Sequence, residues 1–348
     1  MSGVQHRTVG ADEAEQRLDR WFRRHFPQIS QGMLEKLCRR GAVRVDGGRA
    51  KPASRVGPGQ TVRVPPLPET PAPAPAPPQA GAAPPDPALA ELLQAAVVYR
   101  DDHMLVIDKP PGLAVQGGSK QRRHVAGGLA ALRFGRDDDP RLVHRLDRDT
   151  SGLLVLARTG AAAVALSRAF RSRAVAKTYV AAVAGRPKPA AGTLRWGLVK
   201  AGGRGVEKMT AVHPDAIAST PGAQAARTEY TAVESAGQRA SVVALRPVTG
   251  RTHQLRVHMA ALGTPIVGDG KYGGRGQENA GDGWGASLGG EVSRKLHLHA
   301  LRLTLPHPAT GARISVAAPL PSHMARTWAF FGWSTEALAD DPFALADL

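Results

Sequence analysis

A proline- and alanine-rich stretch constrains the fold of this chain more than any other feature. From Pro65 to Pro87 the sequence reads PPLPETPAPAPAPPQAGAAPPDP, and residues 66–95 contain no lysine or arginine. Such tracts favour extended, semi-rigid conformations and supply no packed core. The sequence therefore predicts two separately folded units, with residues 66–95 as the linker between them.

The chain is strongly basic, and its basic residues lie outside that linker. The 348 residues carry a formal net charge of +17, and residues 1–65 contribute thirteen basic and six acidic side chains, a net of +7. This excess indicates a polyanionic partner. Nucleic acid is favoured over an acidic membrane surface, because no window approaches the roughly 18 apolar residues of a membrane span and no basic amphipathic helix dominates.

The first residues and the single cysteine bear on location and on metal chemistry. MSGVQHRTVGADEAEQR is polar and lacks the apolar stretch of a secretory signal, so we expect a cytoplasmic protein. Cys38 is the only cysteine, which excludes an internal disulfide and a multi-cysteine zinc cluster. Its neighbours, LEKLCRRG, favour a packed helical position over a reactive thiol.

Residues 16–65 have the pattern of a small α/β unit. Apolar residues from Leu18 to Phe26 recur at helical spacing, and Ser30 is placed to cap a second helix. VRVDGGRAK then predicts a hairpin around an Asp-Gly turn. The alternative to nucleic-acid binding is a merely solvated basic face, but the density of arginine favours phosphate contacts. The basic residues expected to make them include Arg23, Arg24, Lys36, Arg39 and Arg40.

After the linker, short apolar runs alternate with turn signals as far as about residue 320. Helical periodicity is rare, and the clearest case is Gly160–Ser172, with Val164, Leu166 and Phe170 as its expected buried stripe. The pattern predicts an α+β fold in which a long mixed, mainly antiparallel sheet carries few covering helices. Residues 1–15 and 321–348 are expected to be tails, the second containing a final amphipathic helix with Trp328, Phe330, Phe331 and Trp333.

The densest polar segment is RLVHRLDRDTSGLLVLART, residues 141–159. GLLVLA is apolar throughout, which predicts a buried strand and places the preceding loop at the edge of a rigid sheet. Asp147 lies in this loop between Arg145 and Arg148, whose charges favour the ionised carboxylate that a nucleophile or electrostatic stabiliser requires. The structural alternative is that Asp147 and Asp149 cap turns and pair with local arginines.

A second polar segment is RPVTGRTHQLRVHMAALGTPIVGDGKYGG, residues 246–274. Arg256 in this segment could pair with Asp147 or with phosphate. His253 and His258 invite a zinc interpretation, but two histidines without a nearby cysteine or acidic ligand are weak evidence, and we expect no metal. The chain also lacks the glycine motifs that bind nucleotide phosphates, so no cofactor is expected.

The third segment is RAVAKTYVAAVAG, residues 173–185, which predicts a strand. Lys177 and Tyr179 are two apart in it and therefore share one face. A tyrosine there can stack on a base while its hydroxyl reaches a proton or a sugar group. A half-buried structural aromatic explains this segment equally well.

Together these segments resemble the ordered motifs of the bacterial pseudouridine synthases that modify large-subunit ribosomal RNA. The resemblance covers residues 96–320 and rests on HRLDRDTSGLLVLA, AKTYVAAVAG, ARTEYTAVE and GRTHQLRVHMAALGTPIVGDGKYGG, with LVIDKPPGLAVQGG and LHLHALRLTLPHPATG fitting in the same order. Residues 16–65 resemble the S4 RNA-binding domain. Within the family, the chain is most similar to the synthase C branch, although the synthase D branch has a similar N-terminal module.

The resemblance implies a role for each matched residue. Asp147 is expected to be the catalytic aspartate, Tyr179 the tyrosine against the uracil, and Arg256 the arginine that pairs with the catalytic carboxylate. Leu255 is expected to pack beneath the base, and Arg145 to contact the flipped-out nucleotide or its phosphate. Lys177 is a further expected substrate contact.

The resemblance also implies the reaction. We expect a monomeric isomerase that converts specific uridines in large-subunit (23S) ribosomal RNA to pseudouridine, without cofactor or metal. The carboxylate would act by covalent attack or by helping to form a glycal intermediate. The alternatives are a synthase D-type or dual rRNA/tRNA enzyme, a non-catalytic RNA-binding or ribosome-assembly factor, and a hydrolase acting on nucleic acid.

Overall fold

Two compact units make up the chain, residues 1–82 and 83–348. The structure is a computed structural model, and it describes residues 3–10, 13, 16–67, 86–117, 123–201, 208–273, 291–338 and 342–343. Within these residues, no helix combines the length and the apolar character needed to cross a bilayer.

Within its described residues, the smaller unit has two α-helices and short antiparallel strands. The four-stranded sheet has the order β1-β6-β3-β4, and β2 pairs with β5. Its elements are β1 (Gln5–Thr8), β2 (Gln16–Arg17), α1 (Leu18–His25), α2 (Gln31–Arg39), β3 (Arg44–Val45), β4 (Gly48–Arg49), β5 (Arg55–Val56) and β6 (Thr61–Val64).

Local sequence signals account for most of this unit. The Ser30 hydroxyl accepts a hydrogen bond from the Met33 amide at 3.3 Å and caps α2, as predicted. The hairpin turn between β3 and β4 contains Asp46 and Gly47 with φ of 47° and 76°, the left-handed conformations that an Asp-Gly turn provides. Burial raises the pKa of the Cys38 thiol to about 11, which favours the packed over the reactive interpretation.

Strand β1 lies in the segment expected to be an N-terminal tail. It pairs along its whole length with β6, from Gln5 opposite Val64 to Thr8 opposite Thr61. Its residues, QHRT, are mainly exposed and show no apolar alternation. The strand exists because its backbone pairs with the edge of β6, and hydrophobic periodicity cannot reveal such pairing.

The larger unit is built on one long sheet of order β12-β16-β17-β11-β18-β10-β8-β7, with β19 beside β18 and β9 beside β10; a separate small sheet has the order β14-β13-β15. Its elements are α3 (Pro87–Ala95), β7 (Val97–Arg100), β8 (Met104–Lys109), β9 (Arg141–Leu142), β10 (Ser151–Ala157), α4 (Gly160–Ser172), β11 (Ala176–Ala184), β12 (Ala191–Leu194), β13 (Gly197–Ala201), β14 (Lys208–Val212), β15 (Gln224–Ala225), β16 (Thr228–Ala236), β17 (Ala240–Pro247), α5 (Gln254–Ala261), β18 (Leu298–Pro306), β19 (Arg313–Ala317) and α6 (Ser322–Phe331).

The strand pairing confirms the predicted fold class. Among the described strands of the long sheet, all pairs are antiparallel except β10 and β18, which run parallel at Ser151 opposite His299 and Gly152 opposite Ala300. At that contact Gly152 has φ of +106°, and a Cβ atom there would lie 2.6 Å from the Ala300 nitrogen. Glycine is therefore required where the two central strands approach.

Three helices of this unit refine the expectations from sequence. Helix α3 lies within the segment expected to be linker, where its leucines Leu89 and Leu93 pack onto the sheet core. Helix α4 has the predicted bounds, but Val164 is 61% exposed, and small alanines take its expected place on the buried face. Helix α6 is the final helix predicted, and it buries Trp328.

Candidate active site

A loop between two strands positions Asp147. It begins after β9 and ends at β10, whose seven residues are all buried. Since β10 is held between β8 and β18 at this end, the loop leaves the sheet from a rigid base. The apolar run GLLVLA therefore forms the strand that the sequence predicted, and Asp147 lies at its edge.

A fully buried lysine holds this loop from the protein interior. Lys109 Nζ donates to the carbonyl oxygens of Pro110 (2.9 Å), Leu113 (2.9 Å) and Arg148 (3.0 Å). The Gly112 amide also donates to the Arg148 oxygen at 2.9 Å. Burial lowers the pKa of Lys109 to about 7, although nearby aspartates oppose the shift. Lys109 thus fixes the backbone one residue after Asp147.

His144 fills a gap in the sheet on the other side of the loop. β10 pairs with β18 only at Ser151 and Gly152 and with β9 only near its far end, which leaves Val155 without a strand partner on that edge. His144 Nε2 accepts the Val155 amide hydrogen at 2.8 Å, and the ring stacks on Phe170. Burial, aided by the charge of Lys177, lowers the pKa of His144 to about 3, so the ring is neutral.

Asp147 faces two nitrogen-bearing side chains, Arg256 and His253. Its side chain is 21% exposed, and its Oδ2 lies 3.8 Å from Arg256 Nη1 and 3.9 Å from His253 Nε2. These distances exceed those of hydrogen bonds. The carboxylate is therefore near positive charge while its oxygens stay available to a substrate.

The principal partner of Arg256 is a second carboxylate, which the sequence analysis did not identify. Arg256 Nε donates to Asp269 Oδ2 at 2.8 Å, and Nη2 donates to Oδ1 at 2.7 Å. Burial acts to lower the pKa of Arg256, but the hydrogen bonds and charge of Asp269, followed by the charge of Asp147, raise it above its ordinary value. Arg256 therefore has two acidic neighbours, and the expected one, Asp147, is the more distant. A guanidinium has five donors and can face both carboxylates at once.

Strand β11 supplies the next two side chains. Its pairing with β18 shifts register between Thr178 and Tyr179, and both Lys177 and Tyr179 reach the cavity. Burial and the charge of Asp147 raise the pKa of the Tyr179 hydroxyl, which is therefore protonated at physiological pH. Burial lowers the pKa of Lys177.

The loop before α5 forms the facing wall, and Gln254 organises it. Gln254 Oε1 accepts from the Arg251 amide (3.0 Å) and the Thr249 hydroxyl (2.7 Å), and Nε2 donates to Arg227 O and Thr228 Oγ1 (2.9 Å each). Every polar atom of this buried amide is satisfied. The loop is consequently fixed to the start of β16.

His253 precedes α5 in a strained conformation. Its φ of 55° lies in the left-handed region, which is unfavourable for a residue with a Cβ. The Tyr272 hydroxyl lies 2.7 Å from His253 Nδ1 and accepts a hydrogen bond from the Met209 amide at 3.0 Å. A hydroxyl that accepts from an amide can donate to Nδ1, which would leave Nε2–H directed at Asp147. Among the described residues, no three His, Cys, Asp or Glu side chains are grouped as metal ligands.

These elements enclose one cavity of about 320 Å³. Its walls include every candidate site residue that the sequence predicted in the larger unit: Arg145, Asp147, Lys177, Tyr179, Leu255 and Arg256. The other selected residues lie in the smaller unit, exposed in the last turns of α1 and α2 or just beyond: Arg23, Arg24, Lys36, Arg39 and Arg40.

The residues that sequence reasoning missed all lie inside the motifs it quoted. Lys109 is in LVIDKPPG, and Asp269 is in GDGKYGG. His144 and Gln254 are in HRLD and THQLR. Their residue types suggest no partner, because each makes its decisive contact with a residue distant in sequence or with backbone.

Comparison with known proteins agrees with this site. Residues 103–261 match the RNA pseudouridylate synthase family, and residues 16–62 match the S4 domain. Ribosomal large subunit pseudouridine synthase C of Vibrio cholerae serotype O1 is 35% identical over 92% of this chain and 95% of its own length. The protein of the same name from Escherichia coli K12 is 34% identical over 91% of this chain and 93% of its own.

Solved structures give the same result. Human RNA Pseudouridylate Synthase Domain Containing 4 is 30% identical, with a TM-score of 0.58, and the match covers 70% of this chain and 96% of that one. Human RNA Pseudouridylate Synthase Domain Containing 1 is 29% identical, with a TM-score of 0.52 over 66% and 86% of the two chains. Similarity that extends over nearly the full length of the bacterial relatives shows that this chain belongs to the RNA pseudouridylate synthase family, whose members are isomerases.

Proposed function

We propose that this RNA pseudouridine synthase modifies specific uridines in large-subunit ribosomal RNA and uses Asp147 as its catalytic carboxylate. One observation carries the proposal. A half-buried carboxylate faces Arg256 and Tyr179 across a cavity of about 320 Å³, which is at the small end of ligand sites and suits one extruded nucleotide better than a stacked helix. The bacterial relatives named for the large ribosomal subunit support the choice of RNA.

The reaction is an isomerisation in which atoms are conserved. The bond from uracil N1 to ribose C1′ breaks, the base rotates, and C5 bonds to C1′; the C5 proton leaves, and N1 gains a proton. Breaking the glycosidic bond develops positive charge at C1′, which a carboxylate stabilises. Asp147 can attack C1′ covalently or assist a glycal intermediate, and both routes need an oxygen that Arg256 does not occupy.

The surrounding residues would divide the remaining work. Tyr179, with its hydroxyl protonated, offers a ring for the uracil to stack on and a donor. Leu255 would pack beneath the base, while Arg145 and Lys177 would contact the extruded nucleotide and its phosphate. Arg256, anchored by Asp269, would keep a fixed positive charge beside Asp147 throughout the reaction.

We further propose that the chain is organised as an RNA-binding module, a linker and a catalytic domain, and that it acts in the cytoplasm as a monomer. The exposed basic residues of α1 and α2 would add phosphate contacts that tolerate any sequence. Tethering through the proline-rich segment would raise the effective concentration of the catalytic domain near bound RNA.

The decisive experiment maps pseudouridine in ribosomal and transfer RNA from cells with and without the gene. We expect defined positions in large-subunit RNA to lose pseudouridine and to regain it with the wild-type gene. The Asp147→Asn variant should fail to restore them, with activity reduced by at least about 10³-fold, because an amide neither attacks C1′ nor balances its charge. Loss confined to transfer RNA would overturn the substrate proposal, and an active Asp147→Asn variant would overturn the catalytic one.

A further inference from the structure

A second cavity of about 350 Å³ lies beside the first, and Arg256 lines both. The catalytic loop separates them, since Asp147 lines the first and Arg148 and Asp149 line the second. The second cavity is strongly basic. Its charged lining comprises Arg148, Asp149, Arg256, Lys271, Arg294 and Lys295.

Two of these cations have no acidic partner among the described residues. Arg256 is paired with Asp269, and Arg148 is paired with Asp149 at 2.9 Å. Arg294 and Lys295 are both exposed, and neither forms an ion pair within the part of the chain that the structure describes. The described lining of the cavity therefore has an excess of positive charge.

The segment that carries these two cations is fixed against the catalytic residues. Gly268 has φ of +74°, and a Cβ atom there would overlap the carbonyl oxygen of Lys295 and lie 2.9 Å from that of Arg294. The backbone of Arg294 and Lys295 therefore packs against Gly268. The next residue, Asp269, binds Arg256, the arginine that faces Asp147.

The remaining lining favours a compact anion. Gly112 and Gly270 line the same cavity, and no atom lies within 4 Å of a Cβ added to either, so a ligand can approach the backbone closely there. A basic cavity with open space beside the backbone suits a phosphate group. Arginine can bind phosphate with two parallel hydrogen bonds, and lysine binds it as a point charge.

We propose that this second cavity binds a backbone phosphate of the substrate RNA next to the target uridine, with Arg294 and Lys295 as its ligands. The inference rests on the proposed function, because it requires an RNA whose uridine occupies the first cavity. The bound phosphate would set the direction and register of the strand across the catalytic loop. It would contribute to RNA affinity rather than to the chemical step.

The first test removes the two charges in the full-length enzyme. Binding of a large-subunit RNA fragment that contains a mapped site is measured at several KCl concentrations for wild type and Arg294→Gln/Lys295→Gln. Affinity should fall about tenfold at constant salt, and the slope of log affinity against log salt should decrease by about 0.7 to 0.9 for one phosphate that is no longer neutralised. An unchanged slope would overturn the proposal.

Arg313→Gln is the matched control. Arg313 is exposed on β19 opposite Pro306, at the far end of β18 from Leu298 in the first cavity. At about 3.3 Å per residue this separation is roughly 26 Å. The control should leave affinity and slope at wild-type values, and the Arg294→Lys variant, which keeps the charge, should retain most of the affinity.

The second test identifies the phosphate. RNA fragments carry one uncharged methylphosphonate linkage at successive positions around the target uridine. At the linkage that enters the cavity, wild-type affinity should fall about tenfold and the double variant should show no further loss. Additive losses at every position would show that no RNA phosphate binds there, whether or not the cavity accepts free phosphate. Failure of the proposed function would appear differently, as wild-type enzyme that forms no pseudouridine in this RNA.

Discussion

At the scale of single residues, two carboxylates lie near Arg256 in different ways: Asp269 anchors the guanidinium, and Asp147, the proposed catalytic carboxylate, faces the cavity. Asp269 is fully buried and takes two hydrogen bonds from Arg256, whereas Asp147 is partly exposed and lies 3.8 Å from the same guanidinium. A carboxylate in a close bidentate pair would have both oxygens occupied. Because Asp269 fills that role, Asp147 has favourable charge nearby without losing its oxygens to hydrogen bonds.

Removing Asp269 should therefore damage stability as well as activity. The Asp269→Ala variant leaves a buried guanidinium without its partner, and we expect the free energy of unfolding to fall by about 3–5 kcal/mol. Urea denaturation followed by circular dichroism measures this. Replacing both members, in Arg256→Met/Asp269→Leu, should restore most of the stability while the enzyme remains inactive. If the double variant were as unstable as the single one, the cost would not come from the unpaired charge.

Lys109 should make stability depend on pH. Burial lowers its folded-state pKa to about 7, from an ordinary value of 10.5. Between these values the unfolded chain binds a proton that the folded chain does not, so stability rises with pH across this window. At 1.36 kcal/mol per pH unit of full difference, we expect a gain of more than about 1 kcal/mol from pH 7 to pH 9.

The Lys109→Met variant tests that assignment. Urea denaturation of both proteins at pH 6, 7, 8 and 9 gives the difference between the two stability curves, which isolates the contribution of Lys109. A constant difference across the window would contradict the shifted pKa. The variant should also lose kcat more than affinity, because displacement of the Arg148 carbonyl moves the adjacent Asp147 while leaving the RNA-binding surfaces in place.

At the scale of elements, the site depends on the contact between two parallel strands. β10 and β18 meet only at Ser151–Gly152 and His299–Ala300, directly after the loop that carries Asp147 and next to Leu298 in the cavity wall. Because the strands diverge beyond this contact, His144 can occupy the gap and satisfy the backbone of Val155. The short parallel contact therefore joins the two halves of the sheet. The gap beside it holds His144, which lines the cavity.

Gly152→Ala should break this contact. The new methyl group overlaps the backbone of Ala300, and φ of +106° is a conformation that alanine rarely adopts. We expect a loss of about 2–4 kcal/mol in unfolding free energy, measured by thermal or urea denaturation. Gly250→Ala is the matched control, since Gly250 has no neighbouring atom within 4 Å of an added Cβ and should change stability little. Equal losses in both variants would argue against a special role for the strand contact.

At the scale of the whole molecule, charge is distributed between two units that a proline-rich segment connects. The smaller unit carries Arg23, Arg24 and Lys36 exposed on its two helices. Basic residues at helix C-termini also interact favourably with the helix dipole, so a structural role alone could account for some of them. The salt dependence of RNA affinity distinguishes the two roles, because only residues that bind phosphates change it.

Neutralising charges in the smaller unit should weaken RNA binding without changing the chemistry. For Arg39→Gln/Arg40→Gln we expect a shallower dependence of affinity on salt, by about 0.7 for each phosphate that these arginines no longer bind, and an unchanged kcat on saturating RNA. Lys51→Gln/Arg49→Gln, which removes two exposed charges from the hairpin region, is the control and should change the slope less. Identical slopes for wild type and both variants would exclude α2 from RNA binding.

Local patterns predicted a large part of this protein. The alternation of apolar runs indicated the mainly antiparallel sheet, the bounds of α4 agree with its helical periodicity, and Ser30 caps α2 as its position suggested. The motifs brought together Asp147 and Tyr179, which do line one cavity. These predictions succeeded because capping, turn formation and burial of one face depend on residues that are neighbours along the chain.

The remaining features depend on contacts between distant segments. The pairing of Arg256 with Asp269, the hydrogen bond from Lys109 to the Arg148 carbonyl, and the addition of β1 to the edge of β6 all join residues whose types alone name no partner. Periodicity reports which face of an element is buried, but the folded chain determines what lies against that face. The residue types therefore indicated the chemistry, while the packing of separate strands selected which carboxylate anchors the arginine and which one faces the cavity.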